Sequence, residues 1–399
     1  MRILQLCPKP PRPARDGGCL AMDAMTRGLL ADGHSVRVLA FCTEKHPHIP
    51  EHLDSDYITA TKYHAVDVET GLNPADAIRH LIAGESYHIG RFNSPDFTRE
   101  LDSILRNEVF DVVILESLFM ASYEESIRRL SDARVVLRAH NVEHQIWRGL
   151  TQEARIGPKK WYLSKLTTQL KEYEKSHLNN FDALVPISEG DSATFKDLGA
   201  TIPMHVSPFG MDFEKRPPAA STLTSVDHVF HLGSMDWLPN IQGVQWLIEE
   251  VWPKVRKQNS KVNLFLAGRN MPESFKSDAS LGIQVIGEVE NAAEFLTRNG
   301  IMTIPLLTGS GMRVKAVEGM SAGRPTVSTE IGVGGLGLVH GEHAFVANAP
   351  EEFANHILLL LESSDTASKI AQSGQAHIRN KFSNKNIISD LVKFLKKLD

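Results

Sequence analysis

The stretch from Ile301 to Val333 constrains the fold of this chain more than any other. A short apolar run (Ile301, Thr303, Ile304, Leu306) passes through Gly309, Ser310, Gly311 and Met312. It continues into Arg313, Lys315, Glu318 and a small-residue helix closing at Ala322 and Gly323. A strand that turns through glycines into a helix gathers unpaired backbone amides and the positive end of the helix dipole at one point, where phosphate binds well. Arg313 and Lys315 add charge there. Glu318, expected about two turns into the helix, can accept hydrogen bonds from paired hydroxyls such as those of a ribose. Phosphate and ribose together predict a nucleotide. The plainer alternative is a strand-to-helix turn in an ordinary doubly wound domain, but three charged residues in register argue against it.

At 399 residues the chain is longer than a single core usually grows, about 250–300 residues, so two domains are expected. The net charge of −5 argues against a surface that coats nucleic acid. Cys7, Cys19 and Cys42 have neither an even count nor the spacing of a zinc site, and read as reduced thiols of a cytoplasmic protein. His46, His48, His52, His64, His80 and His88 likewise fit no closed ligand set, so no metal is expected. No stretch approaches the ~20 apolar residues that cross a bilayer, which leaves only peripheral membrane contact.

Arg2 to Cys7 reads as a buried strand, and Gly17 and Gly18 open a helix that stops at Asp32-Gly33-His34 before a second strand at Val36 to Phe41. This is the βαβ opening of a Rossmann-like domain, without the Gly-x-Gly-x-x-Gly dinucleotide fingerprint. Residues 43–98 are less regular, with a helical piece from Pro74 to Ala83. Asp111 to Glu116 and Arg134 to His140 are further strands, whose C-terminal ends point to Glu116 and to His140, Asn141 and Glu143 as binding residues. Gly157 to Leu178 is expected as a long helix with Trp161, Tyr162, Leu166, Leu170 and Tyr173 on its apolar face and lysines on the rest. Such a helix is either a solvated face or one that lies on an anionic membrane. Phe181 to Ser188 and Met204 to Gly210 complete the strands of the first half. A Pro- and Ser-containing linker at 216–222 marks the boundary, giving domains 1–215 and 223–382. The second half restarts with Val229 to Ser234, a strand ending at Gly233. Val262 to Arg269 and Ile283 to Val289 follow, with Arg269 at a strand end where its fork can take phosphate oxygens.

The central stretch, continuing into Arg324-Pro325-Thr326-Val327-Ser328-Thr329, resembles the nucleotide-sugar site of the GT-B glycosyltransferases, particularly the retaining family 4. Glu318 matches the second of that family's two glutamates. Ser310 stands where the first commonly lies, as in the subgroup that reads Gly-Ser-Gly-x-Arg-x-Lys-x-x-Glu. The Arg and Lys that many members carry after the first strand of the second domain are absent after Gly233 and Ser234. The resemblance implies an α/β, GT-B fold: two Rossmann-like doubly wound domains facing an interdomain cleft, with the last helix, about 383–399, packing back on the first domain. It implies transfer of a sugar, hexosyltransferase type, from a nucleotide-diphosphate donor to an acceptor hydroxyl with retention, without a metal or other cofactor. By it, the donor site is Gly233, Ser234, Arg269, Gly309, Ser310, Gly311, Met312, Arg313, Lys315 and Glu318. His140 and Glu318 are the catalytic pair, and Gly17, Gly18, Asn141 and Glu143 line the acceptor side of the cleft. The implied partners are a nucleotide sugar and an acceptor glycan, glycolipid or protein, in bacterial-type polysaccharide, glycolipid or glycoconjugate synthesis at or near the inner membrane face. Competing readings are a nucleotide-sugar epimerase or hydrolase on the same fold, and a degenerate transferase that only binds its ligand.

Overall fold

The computed structural model of the protein describes residues 1–13, 16–49, 55–71, 73–154, 156–213, 226–298, 300–309 and 313–398. His52, the linker at 216–222, and Ser310, Gly311 and Met312 lie outside them. Contacts divide the chain into two units, Met1–Met211 with Asn384–Asp399, and Asp212–Ser383. The division falls after Met211 rather than at 215.

In the first unit, β1 (Arg2–Cys7), β2 (Ser35–Cys42), β3 (His64–Asp67), β4 (Val112–Leu115), β5 (Arg134–Ala139) and β6 (Ala183–Pro186) form one parallel sheet in the order β3-β2-β1-β4-β5-β6. The four residues of β4 and of β6 are all buried, as in a sheet covered on both faces, which is why these strands read as unbroken apolar runs. The second unit repeats the plan. β7 (His228–Leu232), β8 (Asn263–Ala267), β9 (Ile283–Gly287), β10 (Ile301–Ile304), β11 (Thr326–Ser328) and β12 (Phe345–Val346) lie in the order β12-β11-β10-β7-β8-β9, again parallel.

Each order reverses direction once, between β1 and β4 in the first sheet and between β7 and β10 in the second. Open α/β sheets bind ligands beyond the C-terminal strand ends at this reversal, where neighbouring connections diverge to opposite faces. The topology therefore selects two places: the end of β4, at Glu116, and the ends of β7 and β10, at Gly233 and Leu306–Gly309.

The terminal helix Asn384–Leu395 packs on the helix Gly17–Ala31 within the first unit, with Ile388, Leu391, Val392 and Leu395 buried among Met22, Met25 and Leu29. Gly28 allows the approach, since a methyl there would collide with Ile388. Asn384 closes the joint, its amide donating to the Ala24 carbonyl at 2.8 Å.

Three expectations are corrected. Met204 to Gly210 is not a strand: His205 and Ser207 donate to the Leu184 and Pro186 carbonyls, but only a bridge at Met204 forms. Pro203 and Pro208, with no N–H to give, flank the segment and stop the ladder. The helix after the central hinge begins at Val314, so Glu318 stands one turn into it, not two. In the helix Pro158–His177, Leu166, Leu170 and Glu174 are buried while Trp161 is exposed, because the helix turns one face of its later turns inward and leaves its first turn outside.

Candidate active site

At the reversal of the first sheet the apolar strands carry a buried polar network. Glu116, fully buried beyond β4, accepts from Gln5 Nε2 at 2.8 Å, Arg138 Nη1 at 2.9 Å and His140 Nε2 at 2.6 Å. Thr26 donates to Gln5 Oε1 at 2.6 Å, and Arg138 also donates to the Ala21 carbonyl at 3.2 Å. Burial opposes the charge on Glu116, but the Arg138 guanidinium and the hydrogen bonds from His140 and Gln5 hold its pKa below the ordinary carboxylate value. An ionised carboxylate only accepts, so Nε2 of His140 must carry the proton. Burial also lowers the pKa of His140, against the pull of Glu116, and keeps the ring neutral. Its Nδ1 is then a fixed acceptor without a partner among the described residues, able to receive a hydrogen bond from a sugar hydroxyl. Glu116 and His140 were legible as strand-end residues. Gln5 and Thr26 were not singled out, although Gln5 is the one polar side chain within Ile3 to Leu6.

Asn141 is half-buried and Glu143 is buried at the start of the helix Glu143–Glu153. Glu174 caps this helix, accepting from the Glu143 amide at 3.1 Å and from His144 Nδ1 at 2.5 Å. Burial and the nearby Glu174 charge push the Glu143 pKa up to about 7. Because the folded value lies above the unfolded one, Glu143 holds an extra proton in the native state. Its stabilising contribution is full below the unfolded carboxylate range and is lost as pH rises toward 7. We expect Glu143→Gln to melt higher than the parent at pH 8, by up to about 3 kcal/mol of stability, and to match it near pH 4. Melting curves across pH check this, and parallel profiles would refute it.

Gly17 and Gly18 open their helix behind Asp16, which accepts from the Cys19 amide at 2.9 Å and pairs with Lys9 at 2.7 Å. The helix start thus already holds a carboxylate. Beyond β2 and β3 the first unit also contains an open hollow of about 1430 Å³ lined by, among others, Thr43, Asp67, Asn73, Tyr87, Asn93 and Asp96.

In the second unit the strand ends close tightly. Gly268, at φ +147°, could not bear a side chain without striking the Gly233 carbonyl oxygen. Ser234 donates to Asp236 at 2.8 Å, Asn270 donates to the same carboxylate, and Arg269 lies 3.8 Å from it. Arg269, expected to take phosphate, and Ser234, expected in the donor site, thus face an acidic neighbour. His231, buried in β7, donates from Nδ1 to the Thr303 carbonyl at 3.1 Å, leaving Nε2 buried beside Gly233 without a partner among the described residues. Burial lowers its pKa to about 4, so it stays neutral.

Trp237 links these ends to the hinge. A methyl on Gly309 would come within 2.8 Å of its ring, and the Arg313 guanidinium lies 5.9 Å from the ring centre. Arg313 is buried and donates to the carbonyls of Ile331 at 2.8 Å and Gly309 at 3.0 Å, fastening the hinge to the turn beyond β11. Lys315 pairs with Glu318 across one turn at 2.9 Å. Past β9, a hollow of about 650 Å³ is lined by Ile286, Val289 and Phe295 with Glu288, Glu290 and Glu294. The structure therefore gathers Gly233, Ser234 and Arg269 at one pair of strand ends and Gly309, Arg313, Lys315 and Glu318 around the hinge, with Trp237 and His231 as additions.

Residues 227–363, roughly a third of the chain, match the family described as Glycosyl transferases group 1. This segment contains both strand ends and the hinge. The second unit is a group 1 glycosyl transferase domain, and the chain has the GT-B fold. The whole chain superposes on sucrose-phosphate synthase from Thermosynechococcus elongatus with a TM-score of 0.70 at 14% identity, covering 100% of this chain and 99% of that one. It superposes on Anabaena HepE in complex with UDP at 0.64 and 13%, covering 100% of each. An uncharacterized 44.6 kDa protein in the cps region of Klebsiella pneumoniae is 27% identical to this chain over 305 residues, 73% of this chain and 76% of that protein.

For the transferase domain, Glu318→Gln should weaken nucleotide binding by about 1–3 kcal/mol, the scale of a charged hydrogen bond. Calorimetric titration of the two proteins measures it, and equal affinities would remove Glu318 from the ribose.

Proposed function

We propose that this glycosyltransferase moves a hexose from a nucleotide-diphosphate sugar to an acceptor hydroxyl, with retention of anomeric configuration and without a metal. The observation that supports the reading is that the matched segment carries Gly233 and Gly309 beyond the ends of β7 and β10, where its own sheet reverses, with Arg269 beyond the neighbouring β8 and Glu318 in the helix that follows the hinge. There the amides at the hinge and helix start, with Arg269 and Lys315, meet the diphosphate, and Glu318 accepts from the ribose. In the retaining course the acceptor oxygen bonds to the anomeric carbon on the face the diphosphate leaves, and the acceptor proton passes to the departing diphosphate. Positive groups at the helix start stabilise the charge that grows on it. His140, neutral and with Nδ1 free to accept, orients a sugar hydroxyl. The polar hollow beyond β2 and β3 is the acceptor's place. UDP in complex with HepE supports a uridine donor, and the cps-region relative supports polysaccharide synthesis.

The test is to supply UDP-, GDP- and ADP-sugars with saccharide and lipid-linked acceptors, in chelator, and to read nucleotide release and product anomer by NMR. Acceptor-dependent release with the donor's own anomer is expected. Release without any acceptor would make the protein a hydrolase, and inverted product would overturn the retaining course.

A further inference from the structure

The helices Glu143–Glu153 and Pro158–His177 pack as a hairpin in the first unit. Its tip exposes large apolar side chains that no described residue covers: Ile156 is 96% exposed, Trp161 59% and Leu150 47%. Single exposed apolar residues are common on protein surfaces, but three within about a turn of one hairpin end make a protruding patch. The chemistry around them is one-sided. From Leu150 to Lys171 the sequence carries five cations and one carboxylate, Glu153. Arg148, Lys159 and Lys165 are exposed, and Lys160 reaches the Gln152 carbonyl at 3.5 Å across the hairpin. None of Lys159, Lys160 and Lys165 pairs with an acid among the described residues.

We propose that this tip docks the protein on an anionic lipid surface, with Ile156 and Trp161 entering the interface and the lysines meeting the headgroups. Apolar residues gain by leaving water, tryptophan suits the boundary between headgroup and acyl chain, and lysine stems can lie on apolar surface while their ammonium groups stay at the phosphates. Charge selects lipid over a second copy of the chain, since apposing two such tips would bring two cation clusters together. The contact is a point of attachment on a hairpin, not a helix lying lengthwise in the interface, because Leu166 and Leu170 are turned into the core.

Flotation of the full chain with vesicles tests this without any nucleotide, so its outcome is separate from that of the transfer reaction. The protein should float with vesicles containing phosphatidylglycerol, less so in high salt, and stay behind with phosphatidylcholine alone. Ile156→Asp combined with Trp161→Ser should abolish flotation at an unchanged melting temperature, and Lys159→Gln combined with Lys160→Gln should lower binding about thirtyfold. No flotation of the parent, or flotation of the Ile156→Asp, Trp161→Ser protein equal to the parent's, would overturn the proposal. So would a parent dimer in sedimentation velocity that this double substitution dissolves, since the patch would then belong to a second copy.

Discussion

Replacing Glu116 by alanine should destabilise the protein by about 3–5 kcal/mol, the scale of a buried ion pair broken on one side. The cost comes less from the lost contacts than from what remains. Arg138, 1% exposed, would keep its charge in the sheet with no carboxylate, while its Nε already lacks a partner among the described residues. Gln5 and His140 would each lose an acceptor in the same step. Urea unfolding of Glu116→Ala, Arg138→Ala and the double variant measures this. The double variant should lose clearly less than the sum of the singles, because the uncompensated charge is gone. A Glu116→Ala loss under about 1 kcal/mol would mean that the network does not hold the first sheet together.

His140→Ala should separate chemistry from binding. Arg269, Lys315 and Glu318 belong to the second unit and His140 to the first, so nucleotide affinity should stay within about twofold. Sugar transfer should fall by about a hundredfold, the lower range for a positioned group acting near the reacting atoms. Loss of one hydrogen bond to the buried, charged Glu116 should cost about 1.5–3 kcal/mol of stability without touching nucleotide affinity. Were His140 merely structural, melting temperature and nucleotide affinity would fall together with turnover. Measuring all three on one preparation distinguishes the outcomes.

The strands were legible where burial on both faces makes them uninterrupted apolar runs, as in Val112–Leu115 and Val229–Leu232. β3, His64–Asp67, was not, because this edge strand is only partly buried and carries His and Asp. The helix Ser364–Lys381 was also missed: its buried Ala367, Ala371 and Gly374 are small, so its apolar stripe is faint. At the site, strand-end logic found Glu116 and His140 because it depends only on where parallel strands stop. It could not find the role of Arg313. A charged residue in a glycine-rich turn reads as a phosphate ligand, whereas packing against Trp237 and two carbonyls makes it a fastener of the hinge. The acidic neighbour of Ser234 and Arg269 was likewise visible as Asp236 but not as their partner, since only the fold brings Asn270 and Arg269 back to it.

The central claim is that the second unit's reversal point binds a nucleotide-diphosphate sugar. Calorimetric titration of the full protein with UDP-, GDP- and ADP-sugars, in chelator, tests it most directly. One nucleotide class should bind at one site per chain, and its affinity should drop by about 1–3 kcal/mol in Glu318→Gln. Absence of binding to all three, or binding that Glu318→Gln leaves untouched, would contradict the account.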